Sequence, residues 1–296
     1  MKVFFNPRMS TDSFGFSPSA AKPAMVVADW LDRGLEIEIV DFEPATEADL
    51  CLAHDPKFVR GVMSLKIANG HGNRLKSVTD SCLWTVGSMM SAARLALTDG
   101  ITCSPSSGFH HACWDTNGNF CSYNGLMVAA IKLLNEGFVE RVGIVDCDAH
   151  YGDGVDSIID RINLDDVVKH WSFGREFGVR PKAFRQKDLL QKLHDSLADM
   201  KSSGVGLIIF NAGADPWIGD PLGGIMESEE MRERDALVFD MCQRLKMACS
   251  ISLAGGYAKD DEGTIAPVLA LHRATMEEAI RIQATRASKA ESSEKM

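Results

Sequence analysis

The chain has 296 residues, of which 45% are hydrophobic and 24% charged, values typical of a globular protein with a sizeable core. Its net charge of −10 argues against sequence-independent binding to nucleic acid, which needs a basic surface. The eight cysteines are scattered and include no C-x-x-C pair, the first residues lack a signal-peptide run, and no stretch approaches the length of a membrane span. We therefore expect a cytoplasmic protein with reduced thiols and no membrane partner.

Apolar runs and periodicity predict strands and helices that alternate along the chain. In chain order they predict a strand at 2–5, a helix at 24–31, a strand at 35–40, helices at 56–67 and 80–97, a strand at 101–103, a helix at 126–135, a strand at 142–145, a helix at 155–161, a strand at 167–173, a helix at 187–201, a strand at 205–212, a helix at 228–246 capped by Ser228, a strand at 248–253 and a helix at 264–286. This alternation predicts the α/β class: one domain over residues 1–288, with a mostly parallel central sheet and helices on both faces, followed by a solvated tail at 289–296.

Polar residues follow four of the predicted strands. Asp146, Asp148 and His150 end the strand that begins at residue 142, and alternate residues of a strand point to one side. The strand at 101–103 leads to a glycine and two histidines, the strand at 205–212 leads to Asp215, and the last strand leads to Tyr257. Because ligands of such sheets bind at the carboxyl ends of the strands, we expect one shared site there.

Asp148, His150 and Asp215 are the predicted ligands of a metal ion. One histidine with two carboxylates suits zinc held by three protein ligands, with an open position for water. Such an ion lowers the pKa of its water towards about 7 and so generates a nucleophile at neutral pH. A strand that simply ends in a polar loop is the alternative interpretation of each ligand taken alone.

His110 and His111 are adjacent in the chain, and two carboxylates near the predicted ligands, Asp146 and Asp153, are not used by the metal. A carboxylate that holds an imidazole raises its basicity, so two His–Asp pairs would serve general acid–base catalysis. Tyr257 follows two glycines and can bring its hydroxyl to a developing oxyanion. A core histidine, a capping aspartate and a packing tyrosine are the structural alternatives.

Six short motifs resemble those of the histone deacetylase and acetylpolyamine amidohydrolase family, which shares the arginase-type α/β fold. They occur in the family's order: GFHHA at 108–112, NFC at 119–121, DCDAHYGDG at 146–154, NAGAD at 211–215, GDPLGG at 219–224 and LAGGY at 253–257. The resemblance implies zinc on the same three ligands, with His110 and His111 as the general base and acid. It also implies that Tyr257 binds the acetyl carbonyl and that Phe120 forms a wall of the substrate channel.

The resemblance further implies a structural monovalent cation, such as K⁺, beside the zinc. The positions that match its ligands are Asp146, Asp148, His150, Ser172 and, through its main-chain oxygen, Phe173.

The chain departs from the family pattern where the substrate would enter. Asn119 replaces a glycine beside Phe120, and Gly255 and Phe177 are the further predicted lining residues, Phe177 as a second aromatic wall. Tyr151 and Ala254 replace a usual histidine and glutamate. The basic segment 175–185 is expected to be a solvated face; were it to line the entrance instead, it would repel a polyamine.

These observations predict a zinc-dependent amidohydrolase that removes an acetyl or other acyl group from a lysine side chain, a polyamine or a small amine metabolite. A dimanganese ureohydrolase of the arginase type is one alternative, although Gly152 breaks the D-x-H-x-D pattern that it would need. A catalytically silent protein that binds acyl groups is a second alternative. A phosphate-binding or nucleic-acid-binding module is disfavoured by the absence of a P-loop motif. The substrate and the oligomeric state stay open.

Overall fold

A computed structural model describes residues 1–177 and 186–294 of the chain. Its strands are β1 (Lys2–Phe4), β2 (Glu38–Val40), β3 (Ile101–Ser104), β4 (Val142–Asp146), β5 (Val168–Ser172), β6 (Leu207–Gly213) and β7 (Ala248–Ala254). Its α-helices are α1 (Lys22–Asp32), α2 (Glu47–Leu50), α3 (Pro56–Met63), α4 (Lys76–Asp99), α5 (Gly125–Asn135), α6 (Asp153–Ile162), α7 (Phe173–Phe177), α8 (Gln186–Ser202), α9 (Ser228–Arg244) and α10 (Ala266–Glu294).

The strands form one sheet in the order β2-β1-β3-β7-β6-β4-β5, and every pairing between neighbours is parallel. All carboxyl ends therefore lie at the same edge of the sheet. The four strands that carry the predicted site residues, β3, β7, β6 and β4, are consecutive neighbours in this order. The predicted α/β fold is confirmed, and the topology brings the four polar segments to one place.

Helices cover both faces of the sheet, because successive residues of the central strands point to opposite sides. Ile208 and Phe210 of β6 belong to a core with α1, α8, α9 and α10. Leu207 and Ile209 of the same strand belong to a second core with α3, α4, α5 and α6. All seven residues of β6 are buried, which explains why its sequence is a continuous apolar run rather than an alternating one.

Three local details differ from the sequence-based prediction. Ser228 does not cap α9; the cap is Glu227, which forms a capping box with Glu230, and the Ser228 hydroxyl instead accepts a hydrogen bond from the Trp217 indole at 3.0 Å. The strand predicted at 167–173 ends at Ser172, and Phe173 instead begins the short helix α7. Helix α10 continues past residue 286 into the segment expected to be a tail, while the domain boundary at residue 288 stays a prediction.

Across the described ranges, 1–177 and 186–294, the structure contains no helix with the length and hydrophobicity to cross a membrane.

Candidate active site

Asp148, His150 and Asp215 converge at the carboxyl edge of the sheet. The Nδ1 atom of His150 lies 3.1 Å from Oδ1 of Asp148 and 2.9 Å from Oδ2 of Asp215. One potential ligand atom from each residue lies within 4.8 Å of the other two. Both carboxylates are buried and His150 is half-buried. Two buried carboxylates this close need a cation between them, because an uncompensated charge is costly away from water.

The pKa values of the cluster show how it is balanced without an ion. Burial and the charge of Asp148 raise the pKa of Asp215 to about 7. Hydrogen bonds to Asp148 and Asp215 raise the pKa of His150 to about 10, so the imidazole carries a proton. A divalent ion would displace that proton on binding. Two carboxylates and one imidazole also match the donor set of a zinc site with three protein ligands.

The two turns that carry the ligands pack directly on each other. The backbone amide of Ala149 donates to Oδ1 of Asp215 at 3.1 Å, and the amide of His150 donates to Oδ1 of Asp148 at 2.9 Å. A Cβ atom on Gly213 would lie 2.5 Å from the Cα of Asp148. A glycine is therefore required at the end of β6 for the turn after β4 to approach.

Arg234 of α9 forms hydrogen bonds with the backbone of both turns. Its side chain is fully buried and its Nη1 donates to the carbonyl oxygens of Gly213 at 2.9 Å and of Cys147 at 3.2 Å. Its charge is paired with Asp235, 2.7 Å away, which also accepts a hydrogen bond from Thr275 of α10 at 2.6 Å. Arg234 thus links Cys147, which precedes Asp148, to Gly213, the last residue of the strand that leads to Asp215.

His110 and His111 form the two predicted pairs with carboxylates. The Nδ1 of His110 lies 2.8 Å from Oδ2 of Asp146, and the Nδ1 of His111 lies 2.6 Å from Oδ1 of Asp153. The two rings are 4.1 Å apart, and Nε2 of His110 lies 3.8 Å from Oδ2 of Asp148. Both histidines therefore stand beside the metal-ligating cluster.

The surroundings shift the pKa values of the two imidazoles in opposite directions. Burial lowers the pKa of His110, but the negative charges of Asp146 and Asp148 outweigh it and raise that pKa to about 9. Burial and the positive charge of His110 lower the pKa of His111. The two shifts are opposite in direction, so His110 favours its protonated form and His111 its neutral form, a combination suited to general acid–base catalysis.

Tyr257 is held over the cluster by the turn after β7. Burial and the charges of Asp148 and Asp215 raise the pKa of its hydroxyl, so the group stays a hydrogen-bond donor. Its backbone amide donates to Oδ2 of Asp220 at 2.6 Å. Gly255 before it has φ +42°, and a Cβ there would lie 2.3 Å from Cγ of Asp215. Gly255, predicted to line the substrate channel, therefore adjoins the carboxylate of Asp215.

Aromatic rings surround Tyr257. The ring of Phe120 lies 5.9 Å from it and that of Phe16 stacks on it at 5.8 Å with an interplanar angle of 17°. Asn119, beside Phe120, is exposed and both residues have positive φ. Phe177 is not brought here: it is 3% exposed and packs in the core 5.1 Å from Phe173, which corrects the expectation of a wall at that position.

The residues at the positions matched to a monovalent cation lie close to one another. Asp146 pairs in register with Ser172, whose hydroxyl accepts a hydrogen bond from the Gly152 amide at 3.3 Å. Oδ1 of Asp146 accepts from the side chain of Asn211 at 2.8 Å. The main chain of Phe173 follows directly. The cation stays a prediction.

The basic segment is only partly described, because residues 178–185 lie outside the described ranges. Arg175 is bound to its neighbours: its guanidinium donates to Asp156 at 2.8 Å and to the carbonyl oxygen of His170 at 2.8 Å. The Tyr151 hydroxyl also donates to Asp156, and this hydrogen bond fixes the side chain that directly follows His150. Arg175 thus stabilises the fold beside the site.

Sequence analysis missed Lys22, a buried cation behind the site. Its ammonium donates to the carbonyl oxygen of Gly255 and lies 3.4 Å from the hydroxyl of Ser107. Burial lowers its pKa to about 8, against the attraction of Asp215 and Asp148. A lysine at the start of a helix gives no sequence signal for such a role, and neither Arg234 nor Phe16 stands in a motif.

Comparison with known proteins gives three kinds of match. The sequence profile described as the histone deacetylase domain matches residues 18–176, more than half of the chain. An uncharacterised protein of Picosynechococcus sp. is 30% identical over 75% of this chain and 80% of its own length. Histone deacetylase 2 of Arabidopsis thaliana is 28% identical over 61% of this chain and 50% of its own length.

A solved structure shares the fold. The crystal structure of an acetylpolyamine aminohydrolase from Burkholderia pseudomallei aligns with a TM-score of 0.69 at 18% identity, over 94% of this chain and 98% of that one. The profile match and the fold agree with the resemblance inferred from the motifs. The chain belongs to the histone deacetylase and acetylpolyamine amidohydrolase family.

Proposed function

We propose that the protein is a zinc-dependent amidohydrolase that cleaves an N-acyl amide into a carboxylate and a free amine. The observation that carries this proposal is the meeting, at one edge of the sheet, of a three-residue metal-ligating cluster, two His–carboxylate pairs and a tyrosine hydroxyl. A relative named histone deacetylase and a structure named acetylpolyamine aminohydrolase support an acylated amine as the substrate.

Asp148, His150 and Asp215 would hold the zinc ion. When bound, the ion polarises the acyl carbonyl and increases the acidity of a water molecule beside it. His111 accepts the proton of that water, because burial and the charge of His110 lower its pKa and so favour the neutral imidazole, and because Asp153 fixes its Nδ1–H. The water oxygen forms a bond to the acyl carbon, whose carbonyl becomes an oxyanion.

Tyr257 donates its hydroxyl to that oxyanion, and its raised pKa keeps the proton on the phenol. His110 stays protonated beside Asp146 and stabilises the negative charge that develops nearby. As the C–N bond breaks, the proton held by His111 passes to the amine nitrogen. The products are one carboxylic acid and one amine, with one water consumed; transfer of the carboxyl proton to the amine leaves a carboxylate and an ammonium ion at neutral pH.

The dimanganese alternative needs a further carboxylate at position 152, and the site has no room for one. A Cβ on Gly152 would lie 2.3 Å from Oδ2 of Asp146 and 3.3 Å from Nδ1 of His110. An aspartate there would displace the His110–Asp146 pair. The local packing therefore favours one metal ion over two.

The test is a metal count combined with a substrate panel. We expect one zinc per chain by elemental mass spectrometry, and release of acetate from acetyl-lysine peptides, acetylated polyamines or small N-acyl amines, detected by product mass spectrometry. A chelator should abolish turnover and zinc should restore it. Two manganese ions per chain with urea release would establish the ureohydrolase instead. Binding of acyl amines without any turnover would establish the silent binding protein.

A further inference from the structure

Phe16 projects from the loop between β1 and α1 into the entrance of the site. Its side chain is 57% exposed, yet its ring stacks on Tyr257. On the other side Tyr257 faces Phe120, which in turn lies 5.7 Å from His71. The four rings form a continuous row, which we call the entrance row: His71, Phe120, Tyr257 and Phe16.

The loop that carries Phe16 is fixed at both ends by hydrogen bonds. The amide of Thr11 donates to the carbonyl of Ala20 at 2.9 Å, and Asn73 donates to the carbonyl of Ser13 at 3.1 Å. The hydroxyl of Ser17 bonds that of Ser19 at 2.9 Å. The hydrogen bonds, rather than burial of its ring, therefore set the position of Phe16.

The segment after β6, which contacts the backbone of Tyr257 through Asp220, also carries exposed apolar side chains. Ile218 and Leu222, in the segment after β6, are 55% and 37% exposed. The amide of Leu222 donates to Asp220, the residue that also holds the backbone of Tyr257. Exposed apolar side chains gathered around a site mark a place where apolar surface of a ligand is buried.

We propose that Phe16 is a specificity-determining wall of the amide site and selects acyl amines whose amine carries an apolar body, over polycationic amines. The inference rests on the proposed function. An acyl group that reaches the metal-ligating cluster leaves its amine substituent passing Tyr257, where the face of Phe16 that is open to solvent would contact it. Methylene groups buried there gain hydrophobic free energy, whereas a second ammonium group would lose hydration.

The experiment compares Phe16→Ala with Phe14→Ala on three acetamides. Phe14 is the matched control, because it lies on the same loop and is 81% exposed. The substrates are N-octylacetamide, N-ethylacetamide, whose amine substituent is six carbons shorter, and N-acetylspermidine, which matches the long substrate in length but carries positive charges. Acetate release gives kcat and KM for each.

We expect Phe16→Ala to raise KM for N-octylacetamide about tenfold with kcat unchanged, and to change both other substrates less than twofold. Phe14→Ala should change none of them. A fall in kcat by one factor on all three substrates would mean that Phe16 only positions Tyr257, which overturns the proposal. A larger effect on N-acetylspermidine would also overturn it, because the ring would then bind cations.

The contact with Phe16 can also be tested if the proposed function is wrong. If the wild-type protein hydrolyses none of the three amides, isothermal titration with N-octylacetamide measures the same contact without turnover. A dissociation constant about tenfold weaker in Phe16→Ala than in Phe14→Ala then supports the wall, and equal constants overturn it.

Discussion

The floor of the site and its entrance are held by different forces. At the floor, Asp148 and Asp215 are buried. Asp215 accepts a hydrogen bond from the amide of Ala149 in the neighbouring turn, and Asp148 accepts one from the amide of His150 in its own turn, so charge and geometry fix them together. At the entrance, Phe16 is exposed and makes one stacking contact with Tyr257. Substitutions of the buried carboxylates should therefore affect metal binding and stability, whereas substitution of Phe16 should affect only the choice of substrate.

Asp215→Ala is expected to have the largest effect, because it removes a metal ligand and leaves His150 with one carboxylate. Turnover should fall on the order of 10⁴-fold and zinc should be lost from the purified protein. Elemental analysis and acetate release measure both. Asp199→Ala, an exposed aspartate of α8, is the control. A zinc-loaded, active Asp215→Ala protein would mean that the ligand set is wrong.

Arg234→Met tests whether the support beneath the floor is needed. The substitution leaves Asp235 buried without its cation and two carbonyl groups without a donor, so the free energy of unfolding should fall by about 3–5 kcal/mol. Urea denaturation monitors it. Arg244→Met, at the exposed end of the same helix, should be nearly neutral. Equal losses in the two variants would refute the role given to Arg234.

Tyr257→Phe tests stabilisation of the oxyanion separately from metal binding. The phenylalanine keeps the ring contacts with Phe16 and Phe120 but lacks the donor to the oxyanion. We expect kcat to fall about 10²–10³-fold, with zinc content and KM retained. Unchanged kcat would show that another group stabilises the oxyanion.

His54 provides a pH dependence of stability that belongs to neither region. Its ring is buried, Nδ1 lies 2.8 Å from the carbonyl of Cys113, and Nε2 accepts the amide of Asn124 at 2.8 Å. Burial lowers its pKa from 6.5 to about 4. Between these two pH values His54 is protonated in the unfolded chain but stays neutral in the folded protein. From pH 7.5 to 5 this residue should cost about 2 kcal/mol of stability.

The contribution of His54 is isolated by comparison with substituted proteins. Urea denaturation of His54→Gln should show a smaller loss between pH 7.5 and 5 than the wild type, although its stability at pH 7.5 is lower. His194→Gln, on exposed α8, should keep the wild-type slope. The same slope in all three proteins would assign the pH dependence to other groups.

Sequence alone predicted the floor better than the entrance, for a physical reason. Asp148, His150 and Tyr257 directly follow buried strands, and a parallel sheet brings the ends of its strands to one edge. Phe16 lies on a loop whose position depends on a hydrogen bond from Asn73, 60 residues away. No periodicity records such a contact, and Phe177, predicted to be a wall, is buried because α7 turns its ring into the core.

The strand order has a consequence for how the protein forms during synthesis. Asp148 and His150 follow β4, but Asp215 follows β6, which pairs with β4 on one side and with β7 on the other. A nascent chain that ends before residue 207 holds two of the three ligands and no third. If these three residues hold an ion as proposed, its retention requires a nearly complete sheet, and the bound ion would stabilise the finished fold over every shorter intermediate.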